Sequence, residues 1–158
     1  MTETDTGDRG GIDPLDQARI RVEYAVRLQA SVRPEQAEVL LRQAEQLFST
    51  HGSDGEAAVT WGSIADIGYQ RGDYDEALRI RREVELPVYE RLGDTRATAL
   101  TWGRIADIAY DRGDDDEAAT LRQQSLDAYQ RLGDQDGIAN APGASPNSTS
   151  TATTTHPP

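Results

Sequence analysis

The sequence predicts an all-α protein, a solenoid built from three antiparallel helix hairpins. Two long stretches of the chain repeat one another, their apolar residues recur at steps of three and four, and glycines stand where helices must end. No stretch alternates apolar and polar residues as a half-buried strand does. Because one hairpin cannot bury its apolar stripe alone, the hairpins are expected to stack.

The repeat is clearest in two segments that begin "WGSIADIGYQRGDYDEA" and "WGRIADIAYDRGDDDEA". Trp61 and Trp102 are 41 positions apart, whereas Tyr89 and Tyr129 are 40 apart, so the earlier copy has one extra residue. A more diverged copy lies upstream in "RPEQAEVLLRQAEQLFSTHGS". We therefore expect a helical repeat domain over residues 13–136, with units at about 13–52, 53–93 and 94–133.

The first hairpin is predicted to pair helices at about 15–30 and 34–49. Pro14 follows Asp13 and opens the first helix, and Pro34 opens the second, since proline is favoured at the first helical position. The apolar stripe of the second helix has helical period and comprises Ala37, Leu40, Leu41, Ala44, Leu47 and Phe48.

The second and third hairpins are predicted at about 54–70 with 73–91, and at 95–111 with 114–131. Three pairs have the spacing of capping boxes: Ser53 with Glu56, Asp73 with Glu76, and Asp114 with Glu117. Glycines that end helices are Gly72, Gly93, Gly113 and Gly133. Small residues that let helices approach closely are Ala65, Gly68, Ala106 and Ala109. The predicted stripes of the second helices are Ala77, Ile80, Val84 and Val88, and then Ala118, Leu121, Ser125 and Ala128.

Pro87 interrupts the second helix of the copy that has the extra residue. In a regular helix it would clash with the carbonyl of Glu83 and cost about 3 kcal/mol. The extra residue can relieve the clash by forming a local wide turn, which also restores Tyr89 to the register of Tyr129. We therefore predict a kink or widened turn between Glu83 and Pro87.

The two ends of the chain are predicted to be disordered, over residues 1–12 and 137–158, because their composition cannot bury a core. Before the tail, "DQDGIANAPG" starts a fourth hairpin that stops at Pro142. The last complete hairpin then lacks its usual neighbour, which predicts weak homodimerisation or docking through the C-terminal hairpin.

The repeat resembles the tetratricopeptide repeat, through Trp61, Ile64, Ala65, Gly72, Tyr74 and Ala77 in one copy and Trp102, Ile105, Ala106, Gly113 and Ala118 in the next. It is similar to the longer version, around 40 residues, of bacterial regulatory proteins and kinesin light chains. Gly68 and Ala109 replace the usual aromatic of the first helix, and Asp115 replaces the aromatic seen as Tyr74. The resemblance implies a right-handed superhelix.

Composition excludes several kinds of partner. The formal charge of -12 disfavours binding to nucleic acid and to anionic membranes and favours a basic protein partner. All 16 basic residues are arginine. No secretory signal or membrane-spanning run is present, so a cytoplasmic protein is expected.

Sites for chemistry are nearly absent from the sequence. His51 and His156 stand apart from any nucleophile at a recognisable spacing, and "DRGDDDEA" lacks the glycine and the bidentate acid of a calcium loop. We expect no catalytic residues, no metal site, no cofactor and no enzyme activity.

The resemblance implies a groove lined by the first helices of the hairpins. It would point Asp66, Tyr69, Gln70, Arg104, Asp107, Tyr110 and Asp111 toward a partner. Equally, the tyrosines could simply pack between helices and the aspartates be solvated. The lysine and asparagine set that clamps a terminal carboxylate in some members of the family is missing, since the chain has no lysine.

Two functions follow from these observations. The first is a non-enzymatic module that binds a protein or peptide through a helical groove. The alternative is a sensor or regulatory fragment of a larger bacterial signalling or defence system, with the switch domain on another chain.

Overall fold

The computed structural model describes residues 11–30 and 33–141, and every regular element in these ranges is a helix. The helices are α1 (Pro14–Ala30), α2 (Pro34–Thr50), α3 (Asp54–Arg71), α4 (Tyr74–Ile80), α5 (Leu86–Leu92), α6 (Thr95–Asp111), α7 (Asp115–Leu132) and α8 (Gln135–Asn140), with a π-helical turn at Arg81–Glu85. None of these helices is long and apolar enough to cross a membrane. Most of the two segments predicted to be disordered lies outside the described residues.

The described chain forms two compact units, one ending at Leu92 and the other starting at Gly93. In the first unit α1 packs on α2, α2 on α3, and α3 on α4, the π-helical turn and α5. Its core includes a cluster in which Ala18, Ala44 and Ala57 surround Phe48. The predicted pairing of α1 with α2, and of α3 with the helix that follows it, is confirmed.

In the second unit α6 packs along α7, and the short α8 folds back on α7. Ala99, Ala128, Tyr129 and Ala141 form its buried cluster, with Ile138 of α8 packed against it. The predicted domain ends at residue 136, but α8 continues to Asn140. Ile138 of α8 packs against the buried cluster that contains Tyr129, which stabilises the additional residues. The fourth hairpin therefore begins, as predicted, and is a single short helix in the described residues.

The helices begin and end close to the predicted residues, but the predicted side-chain hydrogen bonds at their starts are not all formed. Gly72 ends α3 at φ 84° and Gly133 ends α7 at φ 66°, in the left-handed region that glycine enters without steric cost. α3, α4 and α7 begin beside the three predicted N-caps, Ser53, Asp73 and Asp114.

The predicted capping boxes at these three starts are wrong. None of the three side chains bonds a backbone amide, and the backbone there turns to ψ 59–63° instead of the fully extended value. Asp94 and Asp134, at ψ 80° and 90°, do accept from the amides of Ala97 and Gly137. Acids that were assigned to capping bond arginines instead: Glu56 accepts from Arg19 and Glu76 from Arg79.

The widened turn predicted beside Pro87 is confirmed. The amide of Leu86 donates to the carbonyl of Arg81, five residues back, which opens the backbone just before the proline ring. α5 then continues, and Tyr89 is buried as Tyr129 is in α7.

The same turn changes which side chains face the core. Val84, predicted to lie in the apolar stripe, is only partly buried, whereas Arg81 and Glu85 are buried. The stripe prediction is wrong at this position because an inserted residue rotates the helix face, whereas the predicted stripe requires a regular helical period.

Replacing Pro87 with alanine is expected to change the free energy of unfolding by less than about 1 kcal/mol, because the π-helical turn already removes the clash. Urea unfolding followed by circular dichroism measures it, with Glu90→Ala on the exposed side of α5 as the control. A stabilisation near 3 kcal/mol would instead mean that the proline strains the native helix.

Candidate functional site

The three predicted site residues of the first unit all lie on α3, and they differ in environment. Asp66 is partly exposed and accepts a short hydrogen bond from Arg81. The ring of Tyr69 lies 5.7 Å from that of Tyr74, at an interplanar angle of 37°. Gln70 is exposed. Asp66 is thus one side of a buried ion-pair cluster, not a bare charge.

That cluster is centred on Arg81, which is 3% exposed, and Glu85, which is 4% exposed. Nη1 of Arg81 donates to Oε2 of Glu85 at 2.7 Å. The carboxylate also lies against α3 at Gly62, where a Cβ would come 2.3 Å from Oε1 of Glu85. The absence of a side chain at Gly62 is therefore what lets the carboxylate reach its place.

The four predicted site residues of the second unit lie on α6. Arg104, Tyr110 and Asp111 are exposed and Asp107 is partly buried. Nη2 of Arg122, on α7, lies 3.5 Å from Oδ1 of Asp107, and its guanidinium stacks over the Tyr110 ring at 5.0 Å. Arg122 therefore fixes both an acid and an aromatic ring on the surface of α6.

A cavity of about 390 Å³ opens between α6, α7 and α8 of this unit. The α6 side presents Gly103, Arg104 and Asp107, and Ser125 and Tyr129 of α7 also border the cavity. The lining from the N-terminal part of α6 and from α8 is Arg96, Leu100, Asp136, Gly137, Asn140 and Ala141. Two of the predicted site residues, Arg104 and Asp107, therefore border one concave site.

The pKa values of two groups at or near the cavity, Tyr129 and Asp134, are shifted by their surroundings. Burial raises the pKa of the Tyr129 phenol, and Arg96 and Arg104 oppose that rise by their positive charge. Asp134, the N-cap of α8, accepts from the Gly137 amide at 2.9 Å and from Arg96 at 2.6 Å. These two bonds hold the pKa of the Asp134 carboxyl below its ordinary value.

We expect Asp134→Asn to lower the thermal midpoint of the second unit at pH 6, with the difference from wild type shrinking as the pH falls below about 4. A carboxyl whose pKa is depressed by folding stabilises above its unfolded pKa of about 3.9 and loses that contribution as it is protonated. Trp102 fluorescence in a Trp61→Phe background measures the midpoint in this unit. A difference that stays constant with pH would contradict the prediction.

Three residues of these clusters were not predicted from the sequence: Arg81, Glu85 and Arg122. Ser125 was predicted only as part of the stripe that faces the core. Arg81 and Arg122 occupy matching places in the two copies, 41 positions apart, and that recurrence was the available signal. Glu85 gave none, because a glutamate among charged residues is typical of a solvated helix face.

The described residues contain no group of three or more His, Cys, Asp or Glu side chains arranged to hold a metal ion. What the two clusters offer is an exposed aromatic ring, arginines and carboxylates on rigid helices. These groups suit recognition of another molecule by hydrogen bonds and stacking.

Comparisons with known proteins show the fold. No protein-family model and no curated protein sequence matches the chain. The structure is similar to that of BtubC (BKLC) from P. vanneervenii, with a TM-score of 0.71 and 18% identity over 84% of this chain. It is also similar to the N-terminal domain of stress-induced protein-1 (STI-1) from C. elegans, with a TM-score of 0.63 and 14% identity over 83% of this chain.

The chain spans 56% of the BtubC chain and 96% of the STI-1 domain. These similarities confirm the all-α, tetratricopeptide-like helical repeat that the sequence predicted. The closer resemblance to the long repeat of kinesin light chains stays a prediction.

Proposed function

We propose that this protein is a non-enzymatic interaction module that binds a protein or peptide through the exposed faces of α3 and α6. The observation that carries the proposal is Tyr110, a large aromatic side chain that is 56% exposed and held in place by the stacked guanidinium of Arg122. A rigid, exposed tyrosine loses little entropy on binding and buries a large area, which makes it a natural anchor for a partner.

A partner of basic character is favoured by the formal charge of -12. Since Asp66 and Asp107 are each close to an arginine of their own unit, this preference comes from the charge of the whole chain, not from those two carboxylates. Charge of this kind speeds encounter and is screened by salt, so association should slow as ionic strength rises.

Site-specific photo-crosslinking tests the proposal in cells that express the protein. A benzoylphenylalanine is placed at Gln70 on α3 or at Tyr110 on α6, and at Thr120, exposed on α7, as the control. We expect one protein to be captured from both Gln70 and Tyr110 and not from Thr120. Equal capture from all three positions, or none, would overturn the proposal.

The identity of the captured protein also tests the alternative. A protein with a nucleotide-driven switch domain would favour a sensor or regulatory fragment of a larger system. A basic protein without such a domain would favour a simple adaptor.

Weak homodimerisation through the C-terminal hairpin is a separate proposal. Leu132, at the end of α7, is 48% exposed and is the apolar side chain available for such a contact. Tyr129, one turn earlier, is buried in the cluster against which Ile138 of α8 packs. We expect light scattering to show a rise in mean mass at high micromolar concentration, and Leu132→Glu to abolish it. A monomer mass throughout would contradict the proposal.

A further inference from the structure

The two clusters described above occupy corresponding positions in the two repeat copies. Gly62, Ser63, Asp66, Arg81 and Glu85 of the first unit correspond in sequence to Gly103, Arg104, Asp107, Arg122 and Ser125 of the second. Glycine, aspartate and arginine recur, whereas serine and glutamate in the first unit become arginine and serine in the second. These two differences, Ser63 against Arg104 and Glu85 against Ser125, determine what each cluster can bind.

In the first unit the chain supplies its own carboxylate. Glu85 reaches the surface of Gly62 and receives a hydrogen bond from Arg81, which also bonds Asp66. The π-helical turn brings Glu85 to this place, and the side chain is buried there. The position is occupied and closed to other molecules.

In the second unit no side chain of the described residues takes that role. Ser125 stands where Glu85 does, and its hydroxyl turns away to donate to the carbonyl of Ala99 at 2.7 Å. The space beside Gly103 and Ser125 is part of the 390 Å³ cavity. The position that holds a carboxylate in one copy is therefore not filled by any described side chain in the other.

The formal charges of the two clusters also differ. Asp66, Arg81 and Glu85 together carry one net negative charge, whereas Arg104, Asp107 and Arg122 together carry one net positive charge. Within residues 11–30 and 33–141, the guanidinium of Arg122 lies 3.5 Å from the carboxylate of Asp107 and stacks over the ring of Tyr110. Arg104 has no ion-pair partner in the same ranges.

Of the other charged groups that line the cavity, Arg96 bonds Asp134, which lies next to the cavity, and also interacts with Asp136. The arginine that borders the cavity beside Gly103 and Ser125 and has no ion pair within the described residues is Arg104. A carboxylate is the group that would pair with its guanidinium by charge and hydrogen bonds.

We propose that the cavity between α6, α7 and α8 receives the side chain of a glutamate from the partner, with its carboxylate held by Arg104 and placed as Glu85 is placed in the first unit. This rests on the proposed function and specifies the partner's chemistry. The partner segment is basic overall, which suits the negative chain, and carries one glutamate that anchors it. Gly103, Arg104 and Ser125, which border the site, all belong to the second unit.

A nuclear magnetic resonance titration of the whole chain tests the site directly. The probe is glutamate with an acetylated amino group and a methylamide at the carboxyl end, and its neutral twin is the same molecule with glutamine. We expect saturable shifts of the Gly103 and Ser125 amides and of the Arg104 side chain with the glutamate probe, and none with its twin. Acetyl-glutamine with a free α-carboxyl distinguishes a main-chain terminus from a side chain as the source.

Two variants separate the site from general charge effects. Arg104→Ser copies Ser63 of the first unit at an exposed position and should weaken probe binding on the order of tenfold or more. Arg131→Ser removes an exposed arginine of α7 that does not border the cavity and should change binding less than about twofold.

A third variant, Ser125→Glu, supplies the carboxylate from within and should abolish probe binding while the helical circular dichroism is kept. Equal binding by wild type and Arg104→Ser, or equal shifts with the glutamate and glutamine probes, would overturn the proposal. If Ser125→Glu fails to fold, the Arg104→Ser comparison still decides the matter.

Failure of this inference is distinguishable from failure of the proposed function. A partner that crosslinks at Tyr110 and binds Arg104→Ser as tightly as wild type would leave the interaction module standing and remove the glutamate site. A chain that binds the glutamate probe and captures no protein would do the reverse.

Discussion

Replacing Arg81 with alanine is expected to lower the free energy of unfolding of the first unit by about 3–5 kcal/mol, because it removes the buried guanidinium that donates to the buried carboxylate of Glu85. A buried ion pair adds little over well-packed apolar residues, yet breaking one side of it strands a charge away from water. The expected loss is a large part of the stability of a small domain.

Unfolding in urea, followed by Trp61 fluorescence in a Trp102→Phe background, confines the measurement to the first unit. Arg79→Ala, two positions from Arg81, removes an exposed ion pair with Glu76, serves as the control and should have a far smaller effect. The double variant Arg81→Met with Glu85→Met should recover most of the loss. An Arg81→Ala protein as stable as the control would refute the buried cluster.

Gly62→Ala is expected to destabilise the same unit by about 2–4 kcal/mol, although alanine is the better helix former. Its Cβ would lie 2.3 Å from Oε1 of Glu85, so the carboxylate must leave its place against α3 and weaken its bond to Arg81. The same Trp61 fluorescence measures the change.

The matched control is Gly68→Ala, six residues further along α3. There the nearest atoms to a new Cβ are 3.7 Å and 3.9 Å away, an ordinary contact, so the higher helix propensity of alanine should stabilise by up to about 1 kcal/mol. Opposite signs at the two glycines are the expected result. A neutral Gly62→Ala would mean that Glu85 has another place to go.

Helix positions could be predicted closely because local chemistry determines them. Asp13 and Pro14 mark the start of α1 and Gly72 marks the end of α3, and each acts on backbone groups next to it in sequence. The bonds of Glu56 and Glu76 could not be predicted in this way. Both acids had a local amide within reach, but Glu56 bonds Arg19 of another helix and Glu76 bonds the exposed Arg79 three residues further on.

The candidate site was predicted in part for a similar reason. The first-helix register of the repeat predicts Tyr110 and Asp107. Tyr110 is exposed and Asp107 is partly buried on α6, and their role in binding stays a prediction. Arg122, which fixes them, comes from the next helix, and Glu85 becomes a core residue only through a turn that departs from helical period. Patterns of fixed period cannot show where the period itself changes.

The π-helical turn at Arg81–Glu85 also has a consequence for how duplicated units diverge. In a regular helix the extra residue would put Val84 where Ser125 lies in α7 and turn Glu85 away from Gly62. The wide turn instead keeps Glu85 and the residues after it in the register of Ser125 and the rest of α7. Insertion of a single residue in a second helix can thus be absorbed locally, so that the side chains beyond it keep their places and the number and order of helices stay the same.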